Sequence, residues 1–121
     1  MIIADTSVWI DFFRQSNNTT NHLISAYLED GEVVALSAIF GELLQGAKNE
    51  AEAKVILEFW RDLPKVDETE LLLEGGRISY RRKLYNKGLS LIDCYILAAA
   101  KANRFSLWTL DKKLLAEYQY F

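Results

Sequence analysis

The sequence predicts an α/β fold in which helices cover both faces of a parallel sheet. Short apolar runs of strand length alternate with stretches of helical apolar spacing. Strands connected through helices pair in parallel, and such sheets are buried on both faces. The chain has 121 residues, 50% of them apolar, which suits a single domain over residues 1–121 with one core.

The first half of the chain is expected to alternate strand and helix twice. Ile2, Ile3 and Ala4 form a strand that runs into the helix-capping residue Asp5 and a first helix. The pattern then predicts a helix over residues 18–30, a strand over 33–36, a helix capped by Ser37 that reaches about residue 48, and a helix over 50–62 that is stopped by Pro64.

The second half is expected to contain one long helix and one buried helix. Residues 69–87 read as a helix kinked or interrupted at Gly75 and Gly76, after a short strand at 65–66. Residues 90–103 are apolar on nearly every side, which predicts a helix buried in the middle of the domain. The chain is expected to end with a strand over 105–108, a helix over 111–118 and an edge strand over 119–121.

Composition limits the chemistry that the chain can support. The single Cys94 cannot form an internal disulfide and is expected to serve packing, and one His22 leaves no Cys/His zinc cluster. Any metal must therefore be held by oxygen, which favours Mg²⁺ or Mn²⁺. The N-terminus lacks the basic region of a secretory signal, and no apolar run is long enough to span a membrane, so we expect a cytoplasmic protein.

Charge is divided unevenly along the chain. Residues 1–76 hold five Lys/Arg against fourteen Asp/Glu, whereas residues 77–113 hold nine against two. A basic surface beside an acidic region is typical of a protein that follows a phosphate backbone while holding cations. The candidate RNA-binding residues are Arg77, Arg81, Arg82, Lys83 and Lys87. The alternative is that they form one solvated helix face.

Two acids follow predicted strands and open predicted helices. Ligands of open parallel sheets bind at the carboxyl ends of the strands, which is where Asp5 and Asp111 are placed. Each is also a suitable helix N-cap, and for either acid alone that simpler role is favoured. The presence of two such acids at one sheet edge favours a ligand-binding site there.

Two further acids lie within predicted helices. Glu42 borders an apolar stripe, and its neighbours one turn away are Ala38 and Gly46, which leaves space beside its carboxylate. Asp93 lies in the first turn of the most apolar helix, where an unpaired charge is costly. The alternatives are a half-exposed surface glutamate and, for Asp93, a capping box with Ser90.

Four acids at one edge would repel one another, by about 4 kcal/mol for two charges ~4 Å apart at an effective dielectric near 20. One or two bound cations relieve that repulsion and supply a hydrolytic site for phosphodiesters. Thr6, Ser7 and Thr109 could then orient water or a phosphate oxygen, or serve only as turn and capping residues.

Four segments in this order resemble the PIN-domain family. They are residues 3–9 (IADTSVW), 41–43 (GEL), 89–93 (LSLID) leading into the helix with Ala98–Ala100, and 108–111 (WTLD). The resemblance implies a three-layer α/β/α sandwich with a central parallel sheet and Mg²⁺- or Mn²⁺-dependent cleavage of RNA. It also implies that Asp5, Glu42, Asp93 and Asp111 are the metal-holding catalytic acids, with Thr6, Ser7 and Thr109 as polar helpers. Other family members vary at the last acid.

A free-standing domain of this length resembles the VapC-type toxins of type II toxin–antitoxin systems. That resemblance implies a homodimer, a cognate antitoxin that covers the acids, and tRNA or rRNA as substrate. Alternatives are a silent PIN-like module that binds RNA or protein, and a metal-dependent phosphatase. The phosphatase would need a second acid two residues after Asp5, where this chain has Ser7. A receiver-type signalling domain would need paired acids that the first strand lacks.

Overall fold

The computed structural model describes residues 1–15 and 18–120, and it confirms the α/β class. The strands are β1 (Ile2–Ala4), β2 (Val33–Val34) and β3 (Ser106–Trp108). The described residues also form seven α-helices: α1 (Thr6–Arg14), α2 (Asn18–Glu29), α3 (Ser37–Gln45), α4 (Glu50–Asp62), α5 (Leu71–Arg82), α6 (Leu91–Asn103) and α7 (Lys112–Tyr120). A 3₁₀ helix, Leu84–Lys87, lies between α5 and α6.

The three strands form a parallel sheet in the order β2-β1-β3. Ile3 pairs with Val34 on one side and with Leu107 on the other. β1 is thus the central strand, with β2 on one side of it and β3 on the other. Right-handed crossovers, the hand that nearly all such connections have, place α1 and α2 on one face of the sheet and α6 on the other. The predicted α/β/α sandwich with its parallel sheet is thereby confirmed.

The core is built around α6 and the central strand. Every residue of α6 from Cys94 to Ala100 is buried, as the apolar sequence predicted. Burial raises the pKa of the Cys94 thiol, which agrees with a packing role. On the other side of the sheet, Trp9 is fully buried and contacts the rings of Phe12, Phe13, Phe40 and Phe59.

The prediction that Ser37 caps α3 is wrong, since Ser37 is the first residue of the helix and Leu36 occupies the cap position without a side-chain hydrogen bond. The helix ends at Gln45, earlier than expected. Strand β2 is also shorter than predicted, because Ala35 and Leu36 turn the chain into α3. The predicted strand at residues 65–66 is not formed, although the Ala35 amide donates to the Pro64 carbonyl (2.9 Å).

The long helix predicted over residues 69–87 is also wrong. α5 ends at Arg82, and Lys83 adopts a left-handed conformation with φ of 56° before the 3₁₀ helix. The helix is not interrupted at the glycines. A Cβ atom on Gly75 would lie 2.9 Å from the Tyr95 amide nitrogen, so this glycine lets α5 pack closely against the backbone of α6.

The C-terminal end is helical rather than extended. α7 continues through Gln119 and Tyr120, so the edge strand predicted there is wrong for these two residues, and Phe121 lies outside the described residues. α7 extends because Leu114 and Glu117 are buried on one helical face. Within the described ranges, no helix has the length and apolar character needed to cross a membrane.

Candidate active site

Asp5 is the centre of a hydrogen-bonded network at the carboxyl edge of the sheet. It caps α1, is only 6% exposed, and its Oδ1 accepts hydrogen bonds from the Val8 amide (3.3 Å) and the Ser7 hydroxyl. Its Oδ2 accepts a hydrogen bond from the Thr109 hydroxyl. The carboxylate is thus held in place by groups that follow both β1 and β3.

The segment after β3 extends this network to Asp111. The Thr109 oxygen accepts a hydrogen bond from the Asp111 amide (3.0 Å), and the Leu110 amide donates to Ser7 Oγ (3.2 Å). Asp111 Oδ1 accepts from the Lys113 and Leu114 amides (2.9 and 3.3 Å), which caps α7. β1 and β3 flank the point where the strand order reverses, the usual ligand position in open α/β sheets.

Glu42 is joined to the same edge through α1. The Thr6 hydroxyl donates to Glu42 Oε1 (2.6 Å), and Thr6 directly follows Asp5 in the chain. Glu42 itself is exposed, in the second turn of α3. The carboxylate therefore reaches solvent next to the buried Asp5.

Asp93 lies in the first turn of α6, where the predicted capping box is present. Its Oδ2 accepts from the Ser90 amide (2.9 Å), and the Asp93 amide donates to Ser90 Oγ (3.1 Å). Two residues separate α6 from β3, and the Ser106 amide bonds to the Met1 carbonyl. The end of α6 is therefore at the amino edge of the sheet. Its 13 residues span roughly 20 Å, which directs Asp93 toward the carboxyl edge.

The Thr109 hydroxyl joins Asp5 with the Asp111 amide, and Glu42 accepts from Thr6, the residue after Asp5. The direction of α6 indicates that Asp93 lies toward the same edge. The one hydrogen bond that the described residues make to the Asp93 side chain comes from the Ser90 amide. No three His, Cys, Asp or Glu side chains in residues 1–15 and 18–120 are grouped closely enough to form a metal site by themselves.

The donor set nevertheless suits Mg²⁺ or Mn²⁺. Within the described part of the chain, Glu42 Oε2, Asp93 Oδ1 and Asp111 Oδ2 accept no hydrogen bond, so an oxygen of each carboxylate is open to a cation. Mg²⁺ typically keeps several waters and takes only one or two protein carboxylates. A tight cage of three acids is therefore not required for it to bind.

The basic residues predicted to bind RNA are partly engaged within the protein. Arg82 and Lys87 both pair with the buried Glu117 (2.9 and 3.0 Å), and Arg77 pairs with Glu74 (3.5 Å). Burial opposes ionisation of Glu117, but hydrogen bonds from Lys87 and Arg82 outweigh it and lower its pKa. Arg81 and Lys83 are exposed.

A cavity of about 380 Å³ beside Glu42 was not anticipated from the sequence. Its lining includes Arg14 at the end of α1, Lys48 after α3, a second acid, Glu52, and the apolar side chains of Phe13 and Ile56. Neither cation makes an ion pair with any residue that the structure describes. These residues are far apart in sequence, so only the folded chain reveals that they meet beside an acid.

A fifth acid at this edge was also missed. Glu68 accepts hydrogen bonds from the amide and hydroxyl of Ser37 and from the Tyr95 hydroxyl. Burial, reinforced by the hydrogen bond to Glu68, raises the pKa of Tyr95 to about 12, so its hydroxyl stays protonated at neutral pH. Nothing in the local sequence of Glu68 marks it, because its partners are 31 and 27 positions away.

Comparison with known proteins identifies the family of the chain. The PIN domain family matches residues 2–119 of the chain. The chain is also 32% identical, over 120 residues, to the protein named Ribonuclease VapC32 in two strains of Mycobacterium tuberculosis, CDC 1551 / Oshkosh and ATCC 25618 / H37Rv. That alignment covers 96% of this chain and 89% of each relative. The chain therefore belongs to the PIN-domain family.

Proposed function

We propose that this protein is a divalent-cation-dependent endoribonuclease, the toxin of a toxin–antitoxin pair, that hydrolyses phosphodiester bonds of a structured RNA such as tRNA or rRNA. The observation that carries the proposal is the network that connects Asp5 with Glu42 and Asp111 at the switch point of the sheet. The ribonuclease name of its VapC32 relatives supports the same reaction class.

The four acids and three hydroxyls have distinct parts in this proposal. Asp5, Glu42, Asp93 and Asp111 would hold Mg²⁺ or Mn²⁺, which when bound activates water and shields charge on the phosphate. The Thr109 and Ser7 hydroxyls donate to opposite oxygens of Asp5 and fix its orientation. Thr6 fixes one oxygen of Glu42, and no hydrogen bond from the described residues occupies the other.

The cavity beside Glu42 gives the RNA a place to lie. Arg14 and Lys48 would contact backbone phosphates that flank the cleaved bond, since cations that neutralise phosphates supply most non-specific affinity. The apolar side chains of Phe13 and Ile56 suit an unstacked base, the form in which single-stranded RNA is usually recognised. Arg81 and Lys83 remain candidates for more distant contacts.

The proposal includes two protein partners and a location. An antitoxin would inhibit the enzyme by covering the acids, and co-expression with any short reading frame that neighbours the gene checks this. A homodimer is supported by four apolar side chains exposed on one surface of α5 and α6, namely Leu72, Leu73, Tyr80 and Leu91. Sedimentation of the purified protein checks the dimer. The enzyme would act in the cytoplasm.

The deciding experiment measures cleavage of purified RNA with and without divalent cations. We expect cleavage with Mg²⁺ or Mn²⁺, none in excess EDTA, and recovery when the cation is restored, because carboxylates alone cannot activate water here. Full activity in EDTA would contradict the mechanism. Binding of RNA without cleavage under every metal condition would instead favour the silent binding module.

A further inference from the structure

Glu68 connects three separate parts of the chain through one carboxylate. The Ser37 amide donates to both of its oxygens (2.9 and 3.0 Å), and the Ser37 hydroxyl donates to Oε1 (2.9 Å). The Tyr95 hydroxyl also donates to Oε1 and lies 3.3 Å from the Ser37 hydroxyl. Glu68 itself lies in the segment between α4 and α5.

The two partners of Glu68 are close in sequence to two of the proposed metal-holding acids. Ser37 is the first residue of α3, which carries Glu42 in its second turn. Tyr95 lies in α6, two residues after Asp93. The Glu68 carboxylate thus connects the helix that presents Glu42 with the helix that presents Asp93.

The contact is also the cap that α3 otherwise lacks. Leu36 provides no side-chain hydrogen bond at the N-terminus of α3, where unpaired amides carry partial positive charge. A carboxylate satisfies that position with charge-assisted hydrogen bonds, roughly twice as strong as neutral ones. Since Tyr95 is buried and Glu68 is half-buried, the hydrogen bond between them is partly shielded from water.

Glu68 is itself poorly suited to be a metal ligand. Its Oε1 accepts three hydrogen bonds and its Oε2 accepts one, so the carboxylate is nearly saturated. Glu42 and Asp93, by contrast, each keep one oxygen without a hydrogen bond from the described residues. The difference indicates a positioning role.

We propose that Glu68 is a positioning residue that fixes the separation between Glu42 and Asp93, and so sets the affinity of this edge for a divalent cation and the rate of RNA cleavage. This inference rests on the proposed function. Partners that orient metal ligands from outside typically change metal affinity or activity 10- to 100-fold when they are replaced.

The test measures Mn²⁺ binding by the electron paramagnetic resonance signal of free Mn²⁺, alongside kcat and KM for RNA. For Glu68→Gln we expect an Mn²⁺ dissociation constant about 10-fold higher and a similar fall in kcat, with KM nearly unchanged. Tyr95→Phe, which removes only the link to α6, should show a smaller loss of the same kind. Glu70→Gln is the matched control, because Glu70 is exposed and its side chain makes no capping hydrogen bond.

In the double variant Glu68→Gln/Tyr95→Phe the loss of Mn²⁺ affinity should be smaller than the product of the two single losses, since both changes act on the same contact. Wild-type Mn²⁺ affinity and kcat in Glu68→Gln, or a lower melting temperature alone, would overturn the inference. If Glu68→Gln does not fold, Tyr95→Phe decides: unchanged Mn²⁺ binding would overturn it. A wild-type protein that neither binds Mn²⁺ nor cuts RNA would contradict the proposed function itself.

Discussion

Asp5, Asp93 and Asp111 each accept hydrogen bonds from the start of a helix while keeping acceptor capacity for something else. Asp5 caps α1, Asp93 closes the capping box of α6, and Asp111 bonds to the first amides of α7. Capping and metal binding were alternative interpretations of Asp5 and Asp111 in the sequence, whereas for Asp93 the two roles were not exclusive. The structure makes the two roles compatible, because a capping carboxylate uses only part of its acceptor capacity.

The two roles of Asp93 can be separated by Asp93→Asn. Asp93 is the third residue of α6, and an asparagine oxygen there can still accept from the Ser90 amide, so we expect stability to change by less than about 1 kcal/mol. RNA cleavage should fall by at least about 100-fold, the scale of losing one electrostatic stabiliser. Thermal unfolding and a cleavage assay on the same preparation measure both effects.

Ser90→Ala is the matched control for that prediction. It removes the hydroxyl that accepts from the Asp93 amide and should cost about 1 kcal/mol, while the carboxylate remains. Cleavage near the wild-type level in Asp93→Asn would show that Asp93 is only a cap.

At this scale the sequence could identify residues whose role depends on their immediate neighbours. Asp5 and Asp111 were predicted because each follows a strand, and Ser90 with Asp93 because the capping box is a local pattern. Glu68 could not be predicted, since the amide that it caps begins a helix formed by residues earlier in the chain. Ser37 was mistaken for the cap of α3 because the actual cap, the Glu68 carboxylate, lies 31 residues further along the chain.

Among the helices, the end of α5 is fixed to α7 by one buried acid. Glu117 lies on α7 and pairs with Arg82 at the end of α5 and Lys87 in the 3₁₀ helix. Arg82 also stacks on the ring of Tyr120 (3.5 Å). These contacts stabilise the left-handed turn at Lys83 between two helical segments.

Glu117→Gln should make stability less dependent on acid pH. The pKa of Glu117 is lowered in the folded protein, so its contribution is present above the unfolded value of about 4.3 and is lost as pH falls through the lowered folded value. At pH 7 we expect a loss of about 1–3 kcal/mol. Urea unfolding of both proteins from pH 7 to pH 3 should show the difference shrinking toward acid pH.

Glu74→Gln is the appropriate comparison, since its partner Arg77 is largely exposed and such pairs contribute little. A stability difference between Glu117→Gln and wild type that stays constant over the whole pH range would contradict the role assigned to these ion pairs.

Helices were predicted best where periodicity and capping agree, as in α4 and α6. The interruption expected at Gly75 is absent, because this glycine lets α5 pack closely against α6. The sequence of α5 alone contains no sign of that contact. The helix ends at Lys83, which adopts a left-handed conformation. That conformation is uncommon for lysine, so the residue type does not predict it.

For the whole molecule, the uneven charge along the chain does not translate directly into one basic RNA-binding face. Arg82 and Lys87 form ion pairs with Glu117. Arg14 and Lys48, from the acidic half of the chain, instead line the cavity beside Glu42. Folding therefore brings two cations from the acidic first half of the chain to the cavity beside Glu42, where RNA is proposed to bind.

The double variant Arg14→Ala/Lys48→Ala should bind RNA more weakly and with a flatter salt dependence. Each lost phosphate contact reduces the slope of log affinity against log salt by about 0.7 for single strands. Fluorescence anisotropy with labelled RNA over a salt series, in EDTA to prevent cleavage, measures the change.

Arg81→Ala/Lys83→Ala removes the same charge from the exposed end of α5 and serves as the comparison. We expect a smaller change in slope. If this variant lost the larger part of the salt dependence instead, RNA would follow the face that the sequence suggested rather than the cavity.

The fold class was predictable because alternation of strand and helix is a property of the entire chain. The parallel sheet and the buried α6 followed from apolar patterning alone. The cavity and the Glu68 contact were not, because each depends on how elements far apart in sequence are packed.

The hydrogen bond between Asp5 and Thr109 joins residues 104 positions apart, and β3 is the last strand of the sheet. A ribosome must therefore extend the chain past residue 109 before Asp5 meets this partner. A nascent chain that stops short of residue 106 lacks an entire side of the sheet. The proposed RNA cleavage should thus require that β3 and the segment after it have been synthesised.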